Sequence, residues 1–426
     1  MQYLVRAKTW LLAAALFLLP WQTNLFLHAA TLGGVESPFT EAKLFLVEAL
    51  VLVAASASVV ALVIACVRTK RFPAIPRVYW LPLLFGACVL LLSLHVAPCE
   101  FDEAVSAGAN SAACAPYHGM SMIAHLAIAA LLFVLLLDRR VPTKPLLLAF
   151  GAGLLAPSLL GFWQVLVDSS PASTILGLAG RDAATLGDAI VVDDGVRELR
   201  AYGSFSHPNV FGGYLAVGII ALRALLSDKG GERMRRFVSI GMLVLIAALV
   251  FTASRSAILG LFLGVGLSAL VAHMKNTKVA RILVVPIAIV VIGGALAATL
   301  VAPEVVASVR GGGPTEDLSV IERRIQYETY AEATGGSWLF GNGVGSYVFV
   351  IAEIGVIGAL AVFAWSSSID RVNFARFPNR DALMAFAMGN VVLVALFFDH
   401  YIWSSWAGLA LIAFVMAMTL RLGEKA

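Results

Sequence analysis

The sequence predicts an all-α polytopic membrane protein of about twelve transmembrane helices, with both termini on the cytoplasmic side. Three observations predict it. Charged residues make up 13% of the chain and hydrophobic residues 60%, far from the roughly 25% charged content of soluble domains, and the mean hydropathy is +0.90. Several apolar runs reach the ~20 residues that a helix needs to cross a bilayer. Finally, 22 of the 30 Lys and Arg residues fall in one set of alternate loops, which the positive-inside rule places in the cytoplasm.

The expected spans are about 9–27, 44–67, 78–97, 119–137, 145–167, 205–226, 237–253, 256–273, 282–301, 347–366, 383–398 and 405–420. Before the first, Arg6 and Lys8 precede an apolar run in the manner of a signal peptide. No small-x-small cleavage site with a soluble domain follows, so this segment is expected to stay as a helix. Cytoplasmic loops carry Arg68, Lys70, Arg71 and Arg77, then Arg139, Arg140 and Lys144, then Arg223, Lys229, Arg233, Arg235 and Arg236. The outer loop 98–118 holds Cys99 and Cys114, disulfide candidates if that side is oxidising. Cys66 and Cys88 fall inside spans as packing residues, and His95 and His125 read as buried polar groups with partners.

Residues 1–426 read as a single transmembrane domain without a repeat or linker. Its two long hydrophilic segments, 168–204 and 302–346, both face outward, which places the working surface opposite the cytosol. In the second, Ser319 and Glu322 stand at capping-box spacing and Gly335 supplies a stop, so a short helix is expected over about 319–334. It can lie on the membrane surface and cover a cavity. The turn "GNGVGS" at 341–346 follows it.

Eight basic residues remain outside, and seven are arginine: Arg181, Arg197, Arg200, Arg255, Arg310, Arg323 and Arg324. Arginine keeps its charge and offers a planar fork of donors that suits phosphate oxygens. Arg255, in "TASRSA", joins two spans with almost no loop, where an ionised group needs a partner or a wet cavity. Glu48 and Glu353, in the second and tenth spans, are candidate partners. Residues 200–214, "RAYGSFSHPNVFGGY", crowd Arg200, Tyr202, Ser204, Ser206, His207 and Asn209 onto one membrane edge. His207 before Pro208 reads as a helix-start group or as a base; Asn209 can bond the loop backbone. Asp399, His400 and Tyr401 form a second polar knot in the last outer turn.

The same pattern excludes other classes. The basic residues are topology signals, so nucleic acid is not a partner. No GxxxxGK[ST] phosphate loop, HExxH or GxSxG occurs, and "VVDDG" at 191–195 is too weak for a cation site. No metal and no cofactor is implied. Arginines at the outer edge, polar loops and a covering helix fit a lipid-linked phosphate or pyrophosphate held at that interface.

"RAYGSFSHPNVFGGY" resembles the R-x-x-G-x-F-x-x-P-N-x-x-G signature of the O-antigen ligase and polymerase superfamily, most closely its ligases. "TASRSAILG" at 252–260, "RRIQYETYAEATGGSWLFGNGVGS" at 323–346 and "AEIGVIGAL" at 352–360 follow in the family's order. The resemblance implies an inner-membrane glycosyltransferase of GT-C-type architecture with a periplasmic active site. Such enzymes work without a metal, moving a glycan from undecaprenyl pyrophosphate to lipid A–core oligosaccharide in lipopolysaccharide biosynthesis, with inversion expected. Arg200 and Arg255 match the family's arginines, and either Arg323 or Arg324 matches the one preceding its Trp, here Tyr327. These would bind the pyrophosphate as it leaves, with Tyr202, Ser254, Asn209 and Tyr327 in support.

The chain departs from the family where a base is expected. Members carry His-Asn before the equivalent of "AEIGVIG", whereas this chain runs "GNGVGSYVFVIAEIGVIG" with no histidine. Either a segment is absent here, which the abrupt join favours, or another base serves, with His207 and His400 as fallbacks. A polymerase using the same donor is the near alternative. A twelve-helix secondary transporter with Glu48 and Glu353 as coupling groups, or a passive scaffold, is the more distant one.

Overall fold

The computed structural model describes residues 2–69, 116–273, 380–398 and 405–424, apart from 29–30, 33–34, 37–41, 174, 186–187, 194–195 and 227–230. Ten helices occur in this part of the chain: α1 Gln2–Leu18, α2 Leu46–Thr69, α3 Pro116–Leu136, α4 Thr143–Gly153, α5 Leu155–Val167, α6 Pro208–Leu225, α7 Glu232–Phe251, α8 Arg255–His273, α9 Arg380–Phe398 and α10 Trp406–Glu424. Helix accounts for 74% of the described residues, so the class is mainly helical. Three of these segments, Thr143–Val167, Pro208–Leu225 and Glu232–Phe251, are long and apolar enough to cross a membrane. The third, ninth and tenth expected spans lie outside the described residues.

Two expected spans are revised. The first helix stops at Leu18 rather than near residue 27, because Pro20 cannot continue the ladder and the polar Gln22, Thr23 and Asn24 follow. The fifth span is two helices meeting at Leu154. Pro157 lacks the N–H of a helix interior, and its ring crowds the carbonyl four residues back, at Gly153. Ser158 partly repairs the joint, its backbone N–H and its hydroxyl both donating to the Leu154 carbonyl at 3.0 and 2.8 Å.

The expectation of an all-α chain is corrected in the loops. Eight short strands form four two-stranded antiparallel ladders: β1 Asn24–His28 with β4 Ala42–Phe45, β2 Thr31–Leu32 with β3 Val35–Glu36, β5 Ser169–Ser170 with β6 Arg181–Asp182, and β7 Ile190–Asp193 with β8 Val196–Leu199. The last pair is in register from Ile190 opposite Leu199 to Asp193 opposite Val196. Only Asp194 and Gly195 separate its strands in sequence, a dipeptide that two-residue hairpin connections favour. The described part of residues 168–204 thus contains the two ladders β5–β6 and β7–β8, a small layer.

Helix α6 is central: 83% of it is buried, against 28% of the apolar 18-residue stretch of α7. Phe150 of α4 stacks on Phe414 of α10 at 4.2 Å and on Tyr214 of α6 at 5.7 Å, and the Tyr214 hydroxyl donates to the Ala407 carbonyl at 2.6 Å. Trp10, Leu159, Trp163, Leu166, Leu243, Val250 and Phe262 are exposed, an outward apolar surface of the kind that lipid covers.

Charges collect at one end of this bundle. Lys8 donates to Asp138 at 3.0 Å, Arg140 donates to the same carboxylate, and buried Arg421 donates to the carbonyls of Leu136 and Val141. Burial works to raise the Asp138 pKa, but the hydrogen bonds from Arg140 and Lys8 outweigh it and hold the carboxyl well below its usual range. The opposite end carries the β5–β8 layer and the start of α6, with the polar cluster of residues 200–209.

Candidate functional site

The site begins with a buried glutamine. Gln164 lies near the end of α5, 1% exposed, and its side chain makes four hydrogen bonds. Its Oε1 accepts from the backbone N–H groups of Tyr202 and Gly203 at 3.0 and 2.8 Å. Its Nε2 donates to the Gly203 carbonyl at 2.8 Å and to the Ser170 hydroxyl at 3.0 Å. One side chain thereby clamps the loop that carries Arg200. Gly203 takes φ +57, a left-handed conformation that other residues adopt at a cost. A side chain there would also meet Phe211 at 3.0 Å and the Pro157 carbonyl at 3.1 Å.

Arg200 leaves this clamp toward the next polar turn. Its Nε donates to the Thr252 carbonyl at 2.8 Å, and one terminal nitrogen donates to the Asn209 side-chain oxygen at 2.7 Å. The backbone follows the same path, with the Ala201 N–H donating to the Phe251 carbonyl at 3.0 Å. Asn209 thus bonds an arginine rather than the loop backbone expected of it. Thr252 precedes Ala253 at φ 48 and Ser254, which starts α8: the Ala257 N–H faces the Ser254 hydroxyl at 3.4 Å, and the Ile258 N–H donates to its carbonyl. Arg255 is the first residue of α8 and is exposed. A Cβ at Gly212 would stand 2.7 Å from the Ser254 Cβ, so the second turn of α6 packs directly on the start of α8.

His207 is the N-cap of α6, its Nδ1 accepting from the Asn209 N–H at 3.1 Å, with Pro208 in the first turn. A neutral ring that accepts at Nδ1 carries its proton on Nε2, so the cap occupies the lone pair that a base would use. His207→Asn is expected to keep stability near that of the parent protein, because asparagine also caps. His207→Ala is expected to lose about 1 kcal/mol of stability, read as thermal unfolding in detergent.

The layer beside the cluster is braced by its own cations. Arg181 donates to Asp188 at 2.5 Å and to the Ser206 carbonyl at 3.1 Å, and its guanidinium lies 4.8 Å from the centre of the Tyr202 ring. The Tyr202 hydroxyl accepts from the Ala189 N–H. Burial pushes its pKa up, opposed by that bond and by Arg181, so it is a neutral anchor. Arg197 donates to the carbonyls of Ala183 and Thr185 at 2.7 and 3.2 Å. These two arginines hold the scaffold, whereas the Arg200 side chain reaches Asn209 in the first turn of α6 and Arg255 begins α8, and helix N-terminal dipole ends favour negative charge.

Glu48 has other partners than the Arg255 proposed for it: its carboxylate meets His125 Nδ1 at 2.5 Å and accepts from the Phe45 N–H at 2.9 Å. Phe45 and Trp406 pack beside the His125 ring, the three ring centroids lying 5.5 to 6.1 Å from one another. His400, Arg323, Arg324, Tyr327, Glu353, Cys99 and Cys114, and the helix expected over 319–334, lie outside the described residues. Among the described residues no three His, Cys, Asp or Glu side chains gather into a metal-binding group. Sequence reasoning missed Gln164, although a glutamine in the apolar run "LLGFWQVLV" was a visible signal.

In comparisons with protein-family models and with curated proteins, the chain has no match.

Proposed function

We propose that this chain is a membrane glycosyltransferase of the O-antigen ligase type. It moves a glycan from undecaprenyl pyrophosphate to lipid A–core oligosaccharide on the periplasmic side of the bacterial inner membrane. The observation that carries the reading is the hydrogen bond from Arg200 to the Thr252 carbonyl, which joins the "RAYGSF" and "TASRSA" segments at the starts of α6 and α8. Two arginines and two helix N-termini then serve one polyanionic group.

In the transfer, an acceptor hydroxyl oxygen forms its bond to the anomeric carbon as that carbon's bond to the pyrophosphate oxygen breaks. The acceptor proton passes to a base. Negative charge grows on the departing diphosphate, where fixed guanidinium groups stabilise the transition state more than the ground state. Arg200 supplies this with its geometry already set by Thr252 and Asn209, and Arg255 adds charge at the adjoining turn.

The test is transfer by purified protein given the lipid-linked glycan and lipid A–core in EDTA. Glycan-extended lipid A–core is the expected product. Extension of the lipid-linked glycan instead would make the chain a polymerase, and absence of any transfer with both acceptors would overturn the reading.

A further inference from the structure

The outer layer contains a feature that glycosyl transfer does not use. Between Asp168 and Arg181, residues 169–180 ("SSPASTILGLAG") carry no charged side chain, although the rest of this layer is dense in Asp, Glu and Arg. The stretch doubles back on itself, Ser173 and Leu178 exchanging both backbone hydrogen bonds at 2.9 and 2.8 Å. At its tip Ile175 is 79% exposed and Leu176 42%. A single exposed apolar residue is ordinary, but adjoining ones that join further exposed apolar side chains make a patch of the kind that marks a membrane or partner surface.

The tip rests on the segment that follows α1. The Thr23 hydroxyl donates to the Ile175 carbonyl at 2.8 Å. Gly177, at φ +66, lies so close to Gln22 that a Cβ would fall 2.1 Å from its carbonyl. Gln22 and Thr23 lie just past Leu19, Pro20 and Trp21, which follow the apolar helix Gln2–Leu18, where Phe17 is exposed. Leu25, two residues beyond Thr23, is 64% exposed, and Leu166 and Val167 in the last turn of α5 are exposed as well. The apolar outer surface of the bundle therefore continues past the helix ends into this tip.

We propose that the 173–178 tip is a membrane anchor: Ile175 and Leu176 enter the interface of the outer leaflet and hold the β5–β8 layer against the lipid surface. Charge would exclude a segment from that depth, and this segment has none. Its occupant is phospholipid, because the residues that flank it at the ends of α1 and α5 present the same apolar face as the helices. The layer that carries Tyr202 and Arg200 is thereby kept at headgroup height, where a lipid-linked substrate presents its phosphates.

The test places a photoactivatable diazirine amino acid at 175, and separately at 176, in the full chain reconstituted into vesicles of phosphatidylethanolamine and phosphatidylglycerol. Ala184, exposed in the same layer beside β6, is the control position. After irradiation, intact-mass analysis is expected to find lipid adducts at 175 and 176 at least tenfold above those at 184. Adducts no more abundant than at 184 would overturn the proposal. So would crosslinks from 175 and 176 that go to protein, whether within the chain or to a second copy.

Discussion

Arg200→Ala is expected to lower the rate of glycan transfer about 10²- to 10³-fold, the usual loss when one preorganised donor to a developing anion is removed. The side chain spans two segments, donating to the Thr252 carbonyl and to Asn209. Alanine removes the link between the loop before α6 and the turn before α8 and, on the proposed function, a charge that faces the diphosphate. Arg200→Lys is expected to recover little, since one ammonium lacks the planar fork that meets both oxygens at once. The measurement is initial rate with purified donor and acceptor, alongside membrane yield and thermal unfolding. Wild-type transfer by Arg200→Ala would sink the assignment. A variant that fails to reach the membrane would instead report a folding role, which Asn209→Leu separates by breaking one of the two bonds while keeping the cation.

The second large effect falls on stability. Gln164→Leu is nearly isosteric, yet it strips partners from the N–H groups of Tyr202 and Gly203 and from the Gly203 carbonyl. Each buried backbone group left without a partner costs about 1–3 kcal/mol, so a loss of about 3 kcal/mol or more is expected. Thermal unfolding in detergent and tryptic cleavage after Arg197 and Arg200 report it, the second because a released loop exposes those bonds. Gln164→Glu should fall between, since a carboxylate still accepts from both N–H groups but cannot donate to Ser170 or Gly203. Unchanged melting and unchanged proteolysis in Gln164→Leu would show that the clamp contributes nothing.

The helix start at 207 and 208 was legible because capping is local: a histidine acceptor, a proline in the first turn and an apolar run beyond it are all within a few residues. Ser254 at the start of α8 is legible for the same reason. By contrast, Glu48 was weighed as a partner for Arg255, and the structure gives it His125, 77 residues away in sequence. Arg181 and Arg197 looked equivalent to Arg200 as outward cations, but two of the three brace their own layer. Nothing in the spacing of arginines along a loop distinguishes these roles, because the distinction lies in which carbonyls and carboxylates the fold brings within 3 Å.

By itself, the sequence determined that this chain is mainly helical with apolar segments fit to span a membrane. It also determined that its polar and cationic residues concentrate at the ends of those segments. Those properties follow from transfer energies and local hydrogen-bonding, which act residue by residue along the chain. Only the tertiary structure decided that Gln164 grips Tyr202 and Gly203, that Arg200 reaches Thr252, and that α6 packs at Gly212 onto Ser254. These are contacts between segments about 40 to 50 residues apart, set by how helices pack and where loops close, and no periodicity or motif encodes them one residue at a time.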